Sequence, residues 1–388
     1  GISNLGNEAV TLSDTTLAAS VLNTLDGNTS GTVNASSINT LTGSAADLNT
    51  AYASGGISNL GNEAVTLSDT TLAVSVLNDL DGNTSGTINA SNINTLSGAA
   101  ADLNTAYASS GISGLGNEAT TLTDTTLAVS VLNDLDGNTS GTIDASSINT
   151  LTSDDYDSLN TAYTAAGSGA ITGLGNEAIT VNGRIRVSEA NTLNGHTSGV
   201  VTATVTDSNG TSALRVSDAL TLNGTGNAYS IFIRDRTVAT TDLLSIDALT
   251  TVTINAARIT RLTGTFASII STYAAETAGT ISGLGSDCSF TVSGSITVPE
   301  ANTLSGLISH GSRSLTATIS NGDMATLAGI SESGHNLSIT ITDTSVAAAE
   351  LNTLDGKTSV AINASIISTL TGAAADLNTA YASGGISN

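Results

Sequence analysis

A block of 18 residues recurs along this chain at a fixed interval, and this repetition constrains the fold more than any other sequence feature. The block GISNLGNEAVTLSDTTLA begins at Gly1 and Gly56 and returns as GISGLGNEATTLTDTTLA at Gly111, so these copies lie 55 residues apart. Diverged forms begin at Ala170 and Thr280. A repeat of this length is typical of solenoids, propellers and arrays, whose units bury their apolar faces only by stacking on one another.

Each long repeat contains a shorter unit made of a strand, a turn and a short helix. In the first repeat, Val10 and Leu12 alternate with polar residues as in a strand. Either Ser13 or Asp14 is then predicted to cap a helix. The apolar residues of this helix follow at helical spacing: Leu17, Val21, Leu22 and Leu25.

The next stretch, TVNASSINTLTG, repeats this plan in a shorter form. We expect Val33 in its strand and Ile38 and Leu41 on its inner face. Ser44 and Asp47 then form a predicted capping box. The helix that follows carries Leu48, Ala51 and Tyr52. The elementary unit is therefore about 20 to 25 residues long.

The middle of the chain carries plainer strand patterns. Apolar and polar residues alternate with the period of a half-buried strand in VVTATVTD at Val200, YSIFIRD at Tyr229, TVTINA at Thr251, SLTATIS at Ser314 and LSITITD at Leu337. The predicted fold is an α/β solenoid of stacked coils, in which short parallel β-strands alternate with short helices or helical turns. A pure β-solenoid is the alternative, because the proposed helices are short and rich in β-branched Thr.

Sequence divergence divides the chain into three segments. Residues 1–169 hold three near-identical repeats, residues 170–336 hold diverged strand-rich repeats, and residues 337–388 resemble the N-terminal repeats again. The chain opens and closes with GISN, at the same phase of the repeat. We expect the whole chain to be one continuous solenoid segment of a larger protein.

Composition and charge limit the core and the partners. Trp is absent and aromatic residues make up 3% of the chain, which predicts a thin core of small aliphatic side chains. The formal charge of −24 arises from 33 acidic and 9 basic residues. Such a field repels phosphate backbones and anionic lipids, so nucleic acid is an unfavourable partner. No apolar run reaches about 18 residues, so no membrane insertion is expected in this segment.

The stretch DLDGNTSGTIDA, which begins at Asp134, is similar to an EF-hand calcium loop. An EF-hand needs Gly at its sixth position and a bidentate Glu at its twelfth, but these positions hold Thr139 and Ala145. Many copies share a Leu-x-Gly ending, which we interpret as the end of a helix closed by a left-handed Gly. Weak calcium binding stays open at four candidates: Asp79, Asp81, Asp134 and Asp136.

Two further residue sets recur, and each allows a structural and a functional interpretation. The repeated Gly-Asn-Glu is predicted to present solvated turn acids, with a column of cation sites as the alternative; its acids are Glu8, Glu63, Glu118, Glu177 and the diverged Asp287. A set of tyrosines is predicted to cover the core with the hydroxyl groups in water, with an exposed binding stripe as the alternative; they are Tyr52, Tyr107, Tyr163, Tyr273 and Tyr381. No acid, base and nucleophile converge on one unit, so we expect neither an enzyme nor a cofactor.

The run LNTLDGNTSGTVNASSINTLTGSAADLNTAYASGGISNLGNEAVTLSDTTLA resembles the long tandem repeats of giant secreted cell-surface proteins of marine cyanobacteria, a group that includes a motility-associated member. The likeness covers Gly1 to about Ala165 and about Ser338 to Asn388, while the more basic middle departs from it. The resemblance implies an extracellular, surface-located protein, and it supplies no catalytic residues.

The predicted function is that of a structural repeat protein that forms an extracellular cell-surface filament, fibre or layer. Its expected partner is a further copy of itself, bound end to end or laterally. A calcium-stiffened adhesin or phage-fibre stalk, which would be a binding module, is the alternative.

Overall fold

The computed structural model of the chain describes residues 5–207, 209–211, 213–285, 288–308 and 313–387. Two compact units divide it: the first comprises Gly1–Gly183 with Thr192–Val201, and the second comprises Arg184–Asn191 with Thr202–Asn388. Within the described residues, no helix is both long enough and apolar enough to cross a membrane.

Short helices recur throughout both units. They are α1 (Ala19–Asn28), α2 (Ala45–Ala53), α3 (Val74–Asn83), α4 (Ala100–Ala108), α5 (Val129–Asn138), α6 (Tyr156–Ser168), α7 (Val187–His196), α8 (Val216–Ala219), α9 (Thr240–Asp247), α10 (Phe266–Ala278), α11 (Val298–Gly306), α12 (Met324–Leu327), α13 (Ala348–Asp355) and α14 (Ala374–Ala382). Their presence in nearly every coil excludes the pure β-solenoid.

Short strands lie between these helices. They are β1 (Val10–Thr11), β2 (Thr16–Ala18), β3 (Val33–Asn34), β4 (Thr40–Gly43), β5 (Ile57–Ser58), β6 (Ala64–Leu67), β7 (Thr71–Ala73), β8 (Ile88–Asn89), β9 (Thr95–Gly98), β10 (Ile112–Ser113), β11 (Ala119–Leu122), β12 (Thr126–Ala128), β13 (Ile143–Asp144), β14 (Thr150–Ser153), β15 (Ile171–Thr172), β16 (Ala178–Arg186), β17 (Val201–Thr206), β18 (Ala228–Ser230), β19 (Thr237–Ala239), β20 (Ile254–Asn255), β21 (Arg261–Gly264), β22 (Ile281–Ser282), β23 (Ser289–Ile296), β24 (Leu315–Ile319), β25 (Asn336–Ser338), β26 (Ser345–Ala347), β27 (Ile362–Asn363), β28 (Thr369–Thr371) and β29 (Ile386–Ser387).

The strand register of the first unit reveals a coil of about 24 residues. Leu17 pairs with Leu41, Leu41 with Val65, Val65 with Ile88, and Ile88 with Ile112, always in parallel. Each coil therefore places one of its strands directly over a strand of the coil before it. This arrangement of stacked parallel strands alternating with helices confirms the predicted α/β solenoid.

The strands of the first unit form two long ladders that are staggered along the stack. The first ladder contains β2, β4, β6, β8 and β10, and the second contains β7, β9, β11, β13 and β15. Each ladder begins with strands that lead into a helix and ends with strands that follow one. The helices α1 to α6 pack consecutively on one another. The row of helices consequently runs obliquely to the ladders.

The core is a thin layer of aliphatic side chains, as predicted. Val33, Ile38 and Leu41 are buried at the positions expected from the sequence. Leu48 and Ala51 of α2 close this layer from the helical side. Full burial of one such leucine contributes about 2 kcal/mol, and the short elements gain their stability from this repeated stacking.

The start of the first helix differs from the prediction. Neither Ser13 nor Asp14 caps α1, which begins at Ala19 after an uncapped Ala18. The residues before it form β2, because their backbone pairs with β4 of the next coil. Val21 consequently faces outward and is 55% exposed. In contrast, Ser44 caps α2 as predicted, and its hydroxyl accepts a hydrogen bond from the Asp47 amide at 3.1 Å.

The interpretation of Leu-x-Gly as a helix end closed by a left-handed Gly is correct only in part: about half of the copies do end a helix, but no left-handed Gly closes them, and the other copies form strands. Gly137 lies within α5, and the extended Thr139 follows that helix. In INTLTG the same pattern forms β4, where Leu41 is buried and Gly43 ends the strand. A left-handed Gly closes α6 at Gly169, outside the predicted motif. Pairing between coils, rather than the local pattern, decides which conformation Leu-x-Gly adopts.

The second unit repeats the architecture with less regular coils. Thr237 pairs with Arg261 and Arg261 pairs with Ser289, so the pairing distance in the sequence changes from one coil to the next. The predicted strands of the middle segment appear as β17, β18, β20, β24 and β25. They are shorter than their alternating patterns suggested, and part of the remaining pattern forms isolated parallel bridges instead, such as Phe232 with Asn255 and Thr340 with Asn363.

Candidate functional site: contacts between coils

The four calcium candidates lie on helices. Asp79 and Asp81 belong to α3, and Asp134 and Asp136 belong to α5. Helical residues two positions apart point about 200° apart, so neither pair can converge on one ion as a loop would allow. Among the residues that the structure describes, no group of three or more His, Cys, Asp or Glu side chains could hold a metal ion. Weak calcium binding at these residues stays a prediction.

One of these aspartates has a structural partner. The Asp81 carboxylate accepts a hydrogen bond from the Ser109 hydroxyl at 2.7 Å. The same bond recurs between Asp26 and Ser54 and between Asp355 and Ser383, each at 2.6 Å. The Asp of the LDG motif thus joins a helix to the turn that follows the next helix.

The glutamates of Gly-Asn-Glu are buried, so their interpretation as solvated turn acids is wrong at three positions. Glu63, Glu118 and Glu177 are each 1% exposed. The Glu63 carboxylate accepts hydrogen bonds from the Gly61 amide at 2.8 Å and the Asn62 amide at 3.2 Å. These bonds compensate for the loss of hydration.

The arrangement of the coils also removes the repulsion that a stack of acids would create. A Gly-Asn-Glu loop occurs in every second coil, so its acids are not neighbours at the strand spacing of about 4.8 Å. Glu8 differs from the others because it is exposed. Asp287 lies outside the described residues.

A tyrosine of the preceding helix reaches each buried glutamate. The Tyr52 hydroxyl donates to Glu63 at 3.3 Å and the Tyr107 hydroxyl donates to Glu118 at 3.2 Å. We call this contact the tyrosine–glutamate latch. Its third copy joins Tyr163 to Glu177. The prediction that these tyrosines pack on the core is correct for the latch, but their hydroxyl groups bind carboxylates rather than water.

The remaining tyrosines of the set have different surroundings. The Tyr273 hydroxyl donates to the Gly285 carbonyl at 2.9 Å, and its ring meets Phe290 edge to face. Tyr381 is 80% exposed. The exposed stripe considered as an alternative is therefore absent from the latch positions.

The latch predicts a late alkaline titration of Tyr52 and Tyr107. Burial raises the pKa of each to about 12, and the adjacent glutamate adds to this rise. Since tyrosine in an unfolded chain has a pKa of about 10, the resulting stabilisation is complete below pH 10 and is lost as the pH rises towards 12. A titration that follows tyrosinate absorbance together with circular dichroism checks this. Ionisation of both residues near pH 10 in the folded protein would contradict it.

The turn after the next helix packs on each Gly-Asn-Glu loop. The Thr84 hydroxyl donates to the Glu63 carbonyl at 3.2 Å, and the Ser85 amide donates to the Gly61 carbonyl at 2.8 Å. A Cβ atom on Gly86 would lie 2.0 Å from the Glu63 carbonyl oxygen. Only glycine permits this approach. The sequence signal that could have revealed the contact is the Thr-Ser-Gly found 21 residues after each of the first three glutamates.

Side chains of asparagine join successive helices. In the first unit each donates to the backbone carbonyl of the third residue of the next helix, over 2.8 to 3.2 Å. We call this row the asparagine ladder, and its members are Asn23, Asn49, Asn78, Asn104 and Asn133. The sequence does not reveal this row, because an Asn beside a buried Leu carries no local sign of a partner in the next coil.

Aspartates of the Ser/Thr-Asp-Thr turn cap helices of the preceding coil. The Asp69 carboxylate accepts a hydrogen bond from the Ala45 amide, the first residue of α2, at 2.8 Å. Asp124 binds Ala100, the first residue of α4, in the same way and at the same distance. A carboxylate at this position also complements the positive end of the helix dipole.

Taken together, these side chains bind one coil to the next. The Asp–Ser bonds, the latch, the Thr-Ser-Gly turns, the asparagine ladder and the capping aspartates all join neighbouring coils, and the chemistry that this arrangement supports is cohesion along the stack. No protein-family model matches this chain, and no curated protein or solved structure matches it either.

Proposed function

We propose that this chain is a structural repeat protein that builds an extracellular filament, fibre or layer on a cell surface. The observation that carries the proposal is the recurrence of the same contacts between coils: strand ladders, the asparagine ladder and the tyrosine–glutamate latch. When the same contacts join each coil to the next, the stack gains length and stiffness without any specialised site.

The surface charge supports this role. A net charge of −24 keeps a long assembly soluble and repels anionic lipids and nucleic acids. The resemblance to secreted surface repeats supports an extracellular location. The expectations that the chain is not an enzyme and binds no cofactor stay predictions.

Imaging of the native assembly tests the proposed function. Antibodies raised against the 388-residue chain should label filaments, fibres or a layer on the outside of intact cells. Protease added to intact cells should remove this label, and a cytoplasmic marker protein should survive as the control. Labelling that appears only after the cells are opened would contradict the proposal.

A calcium-stiffened adhesin or phage-fibre stalk is the second candidate. It is favoured by two buried carboxylate oxygens, Oε1 of Glu63 and Oε1 of Glu118, which accept no hydrogen bond. A cation or a water molecule could occupy the space beside such an atom.

This second candidate predicts that millimolar calcium raises the melting temperature. The rise should be lost in the double variant Glu63→Gln and Glu118→Gln if the buried glutamates bind the ion. It should persist in a variant with Asp79→Asn and Asp134→Asn, whose side chains are exposed. An unchanged melting temperature in the parent chain would remove the candidate.

A further inference from the structure

The second unit carries arginines that the stacking of the coils does not require. Residues 1–183 contain 18 acidic residues and neither Lys nor Arg. Seven of the nine basic residues follow within residues 184–261, together with six acids. Because the first unit stacks its coils in the same way without any Lys or Arg, the architecture alone gives no reason for these arginines.

Backbone bonds between successive coils bring most of these arginines together. The Arg234 amide donates to the Leu214 carbonyl at 2.8 Å, which places Arg215 beside Arg234. The Arg261 amide donates to the Arg236 carbonyl at 2.9 Å. Strands of neighbouring coils lie about 4.8 Å apart, so arginines of three successive coils share one region of the surface.

Two acids within this region are already bound. Asp207, whose side chain is 2% exposed, forms an ion pair with Arg234 at 3.1 Å. Asp235 accepts a hydrogen bond from the Val216 amide, the first residue of α8, at 2.6 Å. Among the described residues, no carboxylate pairs with the four exposed arginines that remain. We call these four the arginine patch, and they are Arg215, Arg236, Arg258 and Arg261.

The fold does not depend on the side chains of the arginine patch. Arg261 lies opposite Thr237 in the pair of β19 and β21. The equivalent pairs of the first unit place Thr opposite Thr, as in Thr71 with Thr95. Arg236 bonds to the next coil through its backbone carbonyl. The guanidinium groups are therefore available to a partner.

Arg258 is held in place on this surface by an aromatic ring. Its guanidinium lies over the Phe232 ring, 5.2 Å from the ring centroid. A cation stacked in this way loses less side-chain freedom when it binds an anion. The patch is therefore partly ordered for a planar anionic group such as a carboxylate.

The first unit presents the complementary charge on its row of helices. Each of α3, α4, α5 and α6 exposes one aspartate, and within the described part of the chain none of these carboxylates has a hydrogen bond or an ion pair. We call them the aspartate row, and they are Asp79, Asp102, Asp134 and Asp157. The asparagine ladder fixes their spacing, because Asn78 donates to the Asp102 carbonyl and Asn133 donates to the carbonyl of Ser158, the residue after Asp157.

We propose that the arginine patch binds the aspartate row of a second copy of this chain, so that copies associate side by side. Arginine binds a carboxylate through two parallel hydrogen bonds, which gives such a contact a defined geometry. The contact is heterologous, because each copy contributes a different surface. The proposal rests on the proposed structural function and names the surfaces through which copies associate.

Charge decides which surfaces of two copies can meet. A net charge of −24 makes most pairs of surfaces repel each other, whereas the arginine patch attracts an acidic surface. At about 0.15 M salt the Debye length is about 8 Å, so distant repulsion is screened while charges in contact still attract each other. At about 1 M salt the Debye length falls to about 3 Å, and the association should be lost.

Two charge-reversed variants test the interface in sedimentation velocity at about 0.15 M salt. The patch variant carries Arg215→Glu, Arg236→Glu and Arg261→Glu. The row variant carries Asp79→Lys, Asp102→Lys and Asp134→Lys. All of these side chains are exposed, so both variants should retain the circular dichroism spectrum of the parent.

The parent should form oligomers, and each variant alone should stay monomeric. Like charges then face each other, which should weaken association about a hundredfold or more. An equal mixture of the two variants should regain association, since the reversed patch of one fits the reversed row of the other. Lys357→Glu is the control, because it reverses a charge outside the patch and should leave assembly unchanged.

The possible outcomes separate this interface from other partners and from the proposed function. A monomeric parent, or a mixture that does not regain association, would overturn the interface. If the monomeric parent bound the polyuronate alginate and the patch variant did not, the patch would belong to an anionic polysaccharide instead. Surface filaments in cells, together with variants that assemble as the parent does, would reject the interface and retain the structural role. Recovery in the mixture, together with an intracellular location, would retain the interface and reject the extracellular role.

Discussion

Replacement of Gly86 by alanine is expected to destabilise the first unit by about 3 kcal/mol. The added Cβ would lie 2.0 Å from the Glu63 carbonyl oxygen and 2.4 Å from its carbonyl carbon. Both are backbone atoms of the buried Glu63, so no flexible side chain can move to relieve the clash. The Thr84 and Ser85 hydrogen bonds to this loop would be lost as the turn shifts outward. Urea denaturation of the parent and the variant measures the change.

Gly82→Ala is the matched control, four residues earlier in the same repeat. Gly82 lies in α3, and a Cβ there would meet no atom within 4 Å. Since alanine favours a helix over glycine by up to about 1 kcal/mol, this variant should be as stable as the parent or slightly more so. The interpretation of Leu-x-Gly as a left-handed helix end predicts the opposite result, a loss of stability at Gly82. Equal losses at both positions would contradict the structure.

The variant Glu118→Ala is expected to lower the free energy of unfolding of the first unit by about 3 kcal/mol. Truncation would leave the Gly116 amide and the Tyr107 hydroxyl without their acceptor in a partly buried environment. The control is Glu8→Ala, which removes the same side chain from an exposed copy of the loop. This control should lower the free energy of unfolding by less than about 0.5 kcal/mol, because Glu8 is exposed. A similar loss for both glutamates would show that burial of Glu118 contributes nothing.

A double-mutant cycle isolates the latch itself. Tyr107→Phe keeps the ring and removes the hydroxyl, and Glu118→Gln keeps the shape of the acid and removes its charge. The coupling between the two changes should be about 1 kcal/mol or more, because the hydroxyl donates directly to the carboxylate. Additive effects of the two substitutions would contradict a direct bond.

The sequence predicted the architecture well, because its main determinant is periodic. Spacing of the repeated block indicated stacked units, and the apolar pattern placed Val33, Ile38 and Leu41 in the core. The cap at Ser44 was also predictable, since a capping residue and its target lie three positions apart in the sequence. The apolar pattern and the cap depend on residues that are close to one another in the sequence, so a short stretch of sequence is enough to predict them.

The contacts between coils could not be predicted in this way. Nothing in the sequence around Tyr52 or Glu63 indicates that the two residues form a hydrogen bond, because only the geometry of the coil brings them together. Likewise, Leu-x-Gly occurs in α5 at Leu135 and in β4 at Leu41, so its letters alone do not determine its conformation. What distinguishes the two positions is pairing with residues about 24 positions away, which propensity does not encode.

The oblique course of the helices has a mechanical consequence. In the first unit, the first ladder ends at β10, but the second has already begun at β7, so the two overlap over several coils. A pulling force along the stack would pass from one ladder to the other within that overlap. Every pair of consecutive coils in this stretch is joined by at least one of the two ladders. Because the hydrogen bonds of each ladder run from coil to coil, such a force would load them in tension, and rupture within the overlap would require the bonds of both ladders to break at the same time. The staggered arrangement would therefore resist tension better than ladders that end together.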